Sequence, residues 1–339
     1  MTQFSRSRLN RYFQLALTGT AIACGVIAST ARAADLTKVV VSTNWFAQAE
    51  HGGLYQAKAT GIYEKHGLDV TIRMGGPQVN NMQIMLAGQN DFVMGYGIRT
   101  LNAVSEGLPV ITVAAGFQKD PSIIVTHQHV KSIEDIKNRS ILISTSTRTT
   151  FWPWMKAKYG FSESQVKPYT FSMAPFLADK ELTQQGYISS EPFAIEKGGV
   201  KPNVFLLADY GYPDYAATID TTHDMVKKNP DLVRRFVQAT MEGWKSYLSG
   251  DPAPANALIK KDNPQMTDEQ IAYGISKMKQ YGIVGGGDAA TKGMGYMSDA
   301  RWQEIFGFLS KAGVLPKNLD VKKVYTTEFL PKKPVLMSE

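Results

Sequence analysis

The first half of the chain alternates short apolar runs with stretches in which apolar residues recur every three or four positions. The apolar runs, which predict strands, lie at 38–43, 68–72, 92–94 and 110–115. The stretches with helical spacing, which predict helices, lie at 53–60, 80–86 and 98–106. This alternation is typical of parallel βαβ units, in which helices cover both faces of a sheet.

A second α/β segment follows, and the last third of the chain is mainly helical. Strands are predicted at 122–126 and 140–143, and an aromatic-rich helix is predicted to end at Tyr159. Asn229-Pro230-Asp231 predicts the start of a long helix, because proline fits the first turn. A further amphipathic helix is predicted over 300–312. Two α/β segments in series indicate two lobes.

The first 33 residues have the three parts of a secretory signal peptide. Residues 1–11 carry three arginines and no acid, residues 13–29 are almost wholly apolar or small, and Ala31-Arg32-Ala33 offers a cleavage site. The apolar run is too short and too rich in Gly, Ala and Thr for a membrane span of about 20 residues. We therefore predict export to the periplasm rather than a retained N-terminal anchor.

The only cysteine of the chain, Cys24, lies inside this leader. The residues before it lack the usual leucine of a lipid-attachment site, so we interpret Cys24 as an apolar filler that is removed, with lipid attachment as the alternative. The mature chain then has no disulfide, thiolate metal site or cysteine nucleophile. Removal of four leader arginines leaves 33 basic against 30 acidic side chains. This mild excess does not indicate nucleic-acid binding.

Enzyme signatures are absent from the sequence: it has no nucleophile elbow, no phosphate-binding loop and no HExxH motif. His127 and His129 would face the same side of a strand, which is an arrangement that can hold a metal. No third ligand is spaced to help them, so we interpret both as exposed strand-edge residues. We therefore predict no catalytic residue, no metal and no cofactor.

Ligands of open α/β sheets bind beyond the carboxyl ends of the strands. Here those ends are Asn44-Trp45, Gly75-Gly76 and Gly95-Tyr96. Trp45 and Tyr96 are candidates to sandwich a flat ring, with packing between helix and sheet as the alternative. Asn44 and Glu191 are candidates for its polar edge, since a carboxylate accepts from an exocyclic amine and an amide pairs with a ring nitrogen. The alternative role for Glu191 is a cap at the start of a helix.

A run of hydroxyl side chains joins a predicted strand to the aromatic-rich helix. The candidate contacts in and after this run are Ser144, Thr145, Ser146, Thr147, Arg148 and Trp152. Free N–H groups, hydroxyls and the helix dipole make such a turn a natural anion site. Arg148 would add a bidentate contact to a phosphate, carboxylate or sulfonate. The alternative is a helix cap with a solvated arginine.

Several segments together resemble one solute-binding family, which includes bacterial sulfonate- and pyrimidine-binding receptors and the fungal thiamine-pyrimidine synthases. The segments that carry the resemblance are Asn44-Trp45, 51–57, 61–63, 67–70, 88–95, 107–110, 132–143 and 229–233. They span most of the mature chain in order. The resemblance implies a type II periplasmic-binding-protein fold, with two α/β lobes around a ligand cleft.

This resemblance also implies how the chain divides. The first and last parts share lobe 1, which we predict over 34–125 and 223–330, and lobe 2 covers 126–222. Residues 331–339 are predicted to form a loose tail. Receptors of the family bind nitrate, sulfonates, taurine, riboflavin or thiamine pyrimidine precursors, and each serves an ABC importer.

Within the family, the Asn-Trp pair and the following histidine resemble the pyrimidine-precursor branch more than the sulfonate branch. The resemblance makes Asn44, Trp45, His51, Tyr96 and Glu191 candidate ligand contacts. The run 144–149 matches the position that often cradles a polar or anionic end of the ligand, but it lacks the family's more regular glycine-serine turn. The synthases carry a cysteine-rich iron-binding segment, which this chain lacks, so we predict that it is not an enzyme.

Three hypotheses follow. The leading one is a monomeric periplasmic receptor for a planar heterocycle of the thiamine-pyrimidine-precursor type, similar to hydroxymethylpyrimidine, with an ABC permease and ATPase as partners. The second is the same receptor class with an anionic ligand, such as a sulfonate, nitrate or an aromatic carboxylate, for which Arg148 is decisive. The third is an enzyme of the pyrimidine-synthase type.

Overall fold

A computed structural model describes residues 36–337 of the chain. The predicted leader and Cys24 lie outside the described residues. The strands are β1 (Thr37–Ser42), β2 (Leu68–Arg73), β3 (Phe92–Tyr96), β4 (Val110–Phe117), β5 (Ser122–His127), β6 (Ile141–Ile143), β7 (Val166–Pro168), β8 (Thr183–Tyr187), β9 (Pro202–Leu206) and β10 (Ala216–Thr222).

Helices connect these strands and form the C-terminal part of the chain. They are α1 (Gly52–Ala59), α2 (Ile62–Lys65), α3 (Asn81–Leu86), α4 (Gly97–Ser105), α5 (Phe151–Tyr159), α6 (Ala174–Ala178), α7 (Glu191–Lys197), α8 (His223–Lys228), α9 (Pro230–Ser249), α10 (Ala253–Asp262), α11 (Asp268–Gln280), α12 (Ala289–Lys292) and α13 (Asp299–Lys311). None of the helices in residues 36–337 is long and apolar enough to span a membrane.

The strands form two five-stranded mixed sheets, one in each lobe. The order of the first sheet is β2-β1-β3-β10-β4, and that of the second is β7-β6-β8-β5-β9. In the first sheet β1 runs parallel to β2 and β3, whereas β10 is antiparallel to both β3 and β4. In the second sheet β6 is parallel to β7 and β8, and β5 is antiparallel to β8 and β9. The first sheet therefore includes one strand, β10, that follows all five strands of the second sheet in the chain.

The structure corrects three expectations about chain organisation. β3 and β4 are not neighbours in an all-parallel sheet, because β10 lies between them. The predicted lobe boundary at 126 falls inside β5, which pairs with β8 and β9 of the second sheet. The predicted end of lobe 2 at residue 222 is also wrong, because β10, which ends there, already pairs with strands of the first sheet. The lobes exchange at about 118–121 and again between β9 and β10.

The predicted loose tail is also corrected for the residues that the structure describes. Val335 is only 8% exposed and belongs to the hydrophobic core. Its carbonyl oxygen accepts a hydrogen bond from the backbone N–H of Met294 at 2.9 Å. Apolar burial and a satisfied backbone group fix this segment against the first lobe.

One arginine joins both crossovers between the lobes. Arg301, on α13, donates from Nη1 to the carbonyl oxygen of Gln118 in the first crossover. It donates from Nε to the carbonyl oxygen of Pro213 at 2.8 Å and from Nη2 to that of Asp214 at 2.6 Å, both in the second crossover. Its guanidinium lies 4.1 Å from the ring centroid of Tyr215. The two crossovers are therefore held together at one point.

Candidate functional site

A cavity of about 40 Å³ lies between the lobes, where the carboxyl ends of strands from both sheets meet. Its lining from the first lobe is Asn44, Trp45, Gln48, Glu50, His51 and Tyr96. Its lining from the second lobe is Ser122, Ser146, Thr147, Thr150, Phe151, Gln185, Gly186, Tyr187 and Glu191. The volume holds roughly three water molecules and is far below the ~300–1,000 Å³ of typical small-molecule clefts. The lobes must separate to admit a ligand.

A chain of hydrogen bonds runs through the first-lobe wall and ends in the second lobe. The backbone N–H of Gln48 donates to His51 Nδ1 at 3.3 Å, and His51 Nε2 is 3.0 Å from Asn44 Oδ1. Asn44 Nδ2 donates to the hydroxyl of Tyr96 at 2.8 Å, and that hydroxyl is hydrogen-bonded to the hydroxyl of Tyr187. One proton lies between the two tyrosine hydroxyls, so the other remains available to a ligand.

His51 is a neutral, oriented member of this chain. Burial lowers its pKa to about 3, so the ring is uncharged at physiological pH. Because Nδ1 accepts from a backbone N–H, the ring proton lies on Nε2, which donates to Asn44. The imidazole thus fixes which way the Asn44 amide faces. Its oxygen points to His51 and its nitrogen to Tyr96.

Close packing of α1 against α9 holds His51 at the cavity. A Cβ on Gly53 would lie 2.4 Å from ring atoms of Trp244, and one on Gly243 would lie 2.2 Å from the Gly53 carbonyl oxygen. Only glycine allows the two backbones to approach this closely. The pair of glycines that follows His51 therefore positions the start of α1 rather than contacting the ligand.

Three polar contacts join the lobes around the cavity. The hydroxyl of Tyr96 meets that of Tyr187, and the hydroxyl of Ser189 donates to Glu50 Oε1. Ser190 Oγ donates to Gln48 Oε1 at 3.2 Å. All three second-lobe partners lie between the end of β8 and the start of α7. This turn therefore provides the second-lobe partners of all three polar contacts between the lobes.

Aromatic rings from both lobes pack together at Trp45, which lines the cavity. The ring centroid of Trp45 is 6.0 Å from that of Phe46 and 6.0 Å from that of Phe171, both in edge-on geometry. Phe171 belongs to the second lobe and has φ of 67°, which is a strained conformation for this residue. In the present geometry Trp45 packs on these rings, and its contact with Phe171 crosses between the lobes.

Glu191 is the first residue of α7 and is only 5% exposed. Oε1 accepts from the hydroxyl of Tyr169 at 2.8 Å, and Oε2 accepts from the backbone N–H of Tyr187 at 2.7 Å. Burial raises its pKa to about 7 despite these hydrogen bonds. Glu191 lines the cavity as predicted, and it also fixes the turn that it follows.

The charge of the cavity wall is unusual for an anion site. Burial raises the pKa of both Glu50 and Glu191. No lysine or arginine is among the described residues that line the cavity. A bound anion would have no counter-charge here, whereas a hydrogen-bond donor or a cation would be stabilised.

The hydroxyl run contributes only part of what was expected. Ser146 and Thr147 line the cavity, as does Thr150. Ser144 is buried and its Oγ is bonded to Ser146 Oγ at 3.0 Å and Thr147 Oγ1 at 2.9 Å, while Thr145 is exposed. These hydroxyls largely satisfy one another, so the turn presents a neutral polar surface.

Arg148 does not line the cavity. Its side chain is 49% exposed and lies 3.9 Å from Glu163, on the outside of the second lobe. Trp152 is completely buried and donates from Nε1 to Glu163 Oε1 at 2.9 Å. Gly75 is buried beside Thr43, whose Oγ1 accepts from its N–H at 3.0 Å. These three predicted ligand contacts therefore do not line the cavity and instead contact other parts of the protein.

The two histidines that were weighed as metal ligands have ring centroids 6.4 Å apart, but their surroundings differ. His127 is buried, contrary to expectation, and its ring stacks on Phe176 at 4.3 Å between centroids. His129 is exposed and lies 3.7 Å from Glu181. Within residues 36–337, no group of three or more His, Cys, Asp or Glu side chains is arranged to hold a metal ion.

Sequence reasoning missed Gln48, Glu50, Ser122, Gln185 and Tyr187. Gln185 Oε1 accepts from the backbone N–H of Ser144 at 2.6 Å, and this leaves its amide nitrogen at the cavity. A signal for two of these residues does exist. Gln185 and Tyr187 are two residues apart in β8, and in a strand with period two they share a face.

A family model described as "NMT1/THI5 like" matches residues 48–255 of this chain, which is more than half of its length. The chain is 26% identical to the riboflavin-binding protein RibY of Chloroflexus aurantiacus over 316 residues, and this alignment covers 87% of each protein. It is 20% identical to the formylaminopyrimidine-binding protein of Halalkalibacterium halodurans, over 81% of this chain and 85% of that protein. It is also 20% identical to a 4-amino-5-hydroxymethyl-2-methylpyrimidine phosphate synthase of Legionella pneumophila, over 88% and 94%.

Solved structures with the same architecture include two informative cases. The alkanesulfonate-binding protein SsuA of Xanthomonas axonopodis, bound to MOPS, has a TM-score of 0.63 and 14% identity over 86% of this chain and 99% of that one. A Candida albicans protein described as having the generic periplasmic binding protein fold has a TM-score of 0.61 and 13% identity over 87% and 98%. The predicted fold, with two α/β lobes around a cleft, is confirmed.

Proposed function

Since the chain belongs to the NMT1/THI5-like family, we propose that it is the substrate-binding component of an ABC importer for a small planar nitrogen heterocycle with an amine substituent. The ligand that fits best is a thiamine pyrimidine precursor of the hydroxymethylpyrimidine type. The protein would act as a monomer in the periplasm, where closure of the lobes captures the ligand for delivery to a permease and its ATPase.

The observation that carries the proposal is the composition of the cavity wall. It combines an oriented amide at Asn44, a free hydroxyl proton on the Tyr96–Tyr187 pair, and the buried carboxyls of Glu50 and Glu191. An aminopyrimidine edge carries an exocyclic N–H₂ donor beside a ring-nitrogen acceptor, which this set complements. Residues from both lobes supply these groups, so the full set exists only when the lobes are closed.

The anionic alternative has lost its main support. Arg148, on which that hypothesis depended, is exposed and pairs with Glu163. The described residues around the cavity supply two carboxyls and no basic side chain. A sulfonate or nitrate placed there would lose its hydration without gaining a counter-charge.

Two of the relatives bear the names of planar nitrogen heterocycles, a formylaminopyrimidine and riboflavin. The cavity of about 40 Å³ favours the smaller ring system, because a single ring requires less separation of the lobes than a tricyclic flavin. Other relatives are named as pyrimidine synthases. We propose binding without turnover, since residues 36–337 contain no cysteine for thiolate ligation of iron.

Calorimetric titration of the purified protein tests this function. Hydroxymethylpyrimidine and formylaminopyrimidine should bind with saturable heat, riboflavin more weakly, and taurine and nitrate not at all. Binding of taurine or nitrate alone would overturn the ligand class. No heat with any of the five would overturn the proposal, and release of a pyrimidine product from the purified protein would replace it with an enzyme.

A further inference from the structure

Glu50 is a cavity residue that neither the sequence pattern nor the family resemblance indicated. It lies in a single helical turn, Ala49–His51, directly before α1, and it is only 2% exposed. Its Oε1 accepts the hydroxyl proton of Ser189, which belongs to the second lobe. One carboxylate oxygen is therefore occupied by a contact across the cleft.

The second oxygen of Glu50 is in a different situation. Oε2 accepts no hydrogen bond from any other described residue, and it is not among the unpaired side-chain atoms that are sealed from solvent in the protein interior. Because Glu50 lines the cavity, this oxygen opens onto the space where a ligand would lie. A carboxylate oxygen with unused lone pairs in such a place calls for a hydrogen-bond donor.

Glu191 offers a contrast within the same cavity. Both of its oxygens already accept hydrogen bonds, from the Tyr169 hydroxyl and the Tyr187 backbone N–H. Each oxygen keeps some accepting capacity, but its direction is constrained by the partner it has. Glu50 is thus the carboxylate with an oxygen that accepts no hydrogen bond from another described residue.

The surroundings of Glu50 contain no described cation that would neutralise it. The titratable groups whose charges act on it or respond to it are Glu191, Tyr187 and Tyr247, together with the adjacent neutral His51. Burial raises the pKa of Glu50, and hydrogen bonds from the Ser189 hydroxyl and from its own backbone N–H oppose that rise. A donor from the ligand would stabilise the ionised form further.

We propose that Glu50 determines ligand specificity: Oε2 accepts a hydrogen bond from the ligand's amine while Oε1 remains on Ser189. This inference rests on the proposed function, and it names the residue that selects amine over carbonyl. One side chain would then contact the ligand and the second lobe at the same time. A ring with a carbonyl in place of the amine would place its carbonyl oxygen beside Glu50 Oε2. Two hydrogen-bond acceptors would then face each other without a proton between them, so this ligand would bind more weakly.

The test compares two ligands in matched variants. The ligands are 4-amino-5-hydroxymethyl-2-methylpyrimidine and its analogue in which the 4-amino group is replaced by a 4-oxo group. Glu50→Gln keeps the shape and the Ser189 contact but turns an N–H₂ group toward the ligand. We expect the preference for the amine to fall by about 10- to 100-fold in this variant, as measured by the ratio of the two Kd values.

Ser189→Ala is the matched control, since it removes the lobe contact and keeps the carboxylate. It should weaken both ligands similarly and leave their ratio within about threefold of the wild-type ratio. Glu50→Asp, which withdraws the carboxylate by one methylene, should reduce the ratio too and covers the case in which Glu50→Gln does not fold. Thermal unfolding of each variant identifies any loss of fold.

The outcomes separate this inference from the proposed function. If the wild-type protein binds neither pyrimidine, the proposed function fails and the role of Glu50 fails with it. If the wild type binds the amine form and the folded variants Glu50→Gln and Glu50→Asp keep its selectivity ratio, only the role of Glu50 is overturned. A reduced ratio in these variants with an intact ratio in Ser189→Ala supports it.

Discussion

Two strand-to-helix turns face each other across the cleft, and they differ in what they offer a ligand. The first-lobe turn, residues 44–51, directs an amide, an imidazole and a carboxylate into the cavity or into the hydrogen-bond chain behind it. The second-lobe turn, residues 144–150, offers hydroxyls, and its one charged residue, Arg148, faces outward. Both turns occupy the place where ligands of such sheets bind.

The difference follows from how each turn satisfies its own polar groups. In the second-lobe turn, Ser144 Oγ is bonded to Ser146 and Thr147, so the hydroxyls are matched locally. In the first-lobe turn, the chain from His51 through Asn44 has to reach Tyr187 of the other lobe. A self-contained turn supplies a polar surface, whereas a turn with distant partners couples binding to closure.

The largest effect should come from Asn44→Ala. This change leaves the Nε2–H of buried His51 and the hydroxyl of Tyr96 without a shared partner, at a cost of about 3 kcal/mol. We expect the affinity for the aminopyrimidine to fall by about 100-fold in calorimetry, and the thermal midpoint to fall as well. In the other turn, Thr149→Ala changes an exposed hydroxyl and should alter neither quantity, so equal losses in both variants would erase the contrast.

An intermediate effect is expected on the unfolding free energy as the pH is lowered from 7 to 5. His51 has a folded pKa of about 3 against about 6.5 in the unfolded chain, so only the unfolded state gains this proton as pH falls below 6.5. Between pH 7 and pH 5 this should cost about 2 kcal/mol of unfolding free energy. His51→Gln should lose about 2 kcal/mol less than wild type over that range in urea unfolding.

Glu191 also titrates between pH 5 and pH 7, but it does not affect the comparison of wild type with His51→Gln. Its raised pKa of about 7 stabilises the folded protein fully below the unfolded carboxyl pKa of ~4.5, and this stabilisation is lost as pH rises toward 7. The effect has the opposite sign from that of His51 and is common to both proteins, so it cancels in the difference. Equal pH dependence in wild type and His51→Gln would contradict a buried neutral histidine.

The smallest effect is expected at Arg148. Its partner Glu163 is 3.9 Å away and both side chains are about half exposed, so their interaction contributes below about 0.5 kcal/mol. Arg148→Ala should leave the affinity for the aminopyrimidine within about twofold in the same titration. A tenfold loss of affinity in Arg148→Ala would contradict this expectation and support an anion site in the second-lobe turn.

Local patterns predicted most of the fold. The strands at 37–42, 68–73 and 122–127 and the long helix from Pro230 follow from β-branched runs and helical spacing, because burial of one face imposes that period. The placement of β10 did not follow. It pairs with β3 and β4, which lie about 100 or more residues earlier in the chain, and no local period encodes such pairing.

The site divides in the same way. Asn44, Tyr96 and Glu191 were predicted from strand ends and from the family resemblance, and His51 from the resemblance alone, and all four line the cavity. Arg148 was predicted from its charge and its place in the hydroxyl run, but its direction depends on Glu163, fifteen residues further along. Side-chain direction in a turn is set by partners that become neighbours only after folding, which is a general limit on reading sites from sequence.

The position of β10 also sets an order of assembly. All five strands of the second sheet lie between Ser122 and Leu206, whereas the first sheet has no bridge between β3 and β4 until residues 216–222 arrive. During synthesis, β3 and β4 therefore present open edges while the second lobe already has all its strands. The lobe that appears first in the chain is the last to be finished, and the cleft is completed with it.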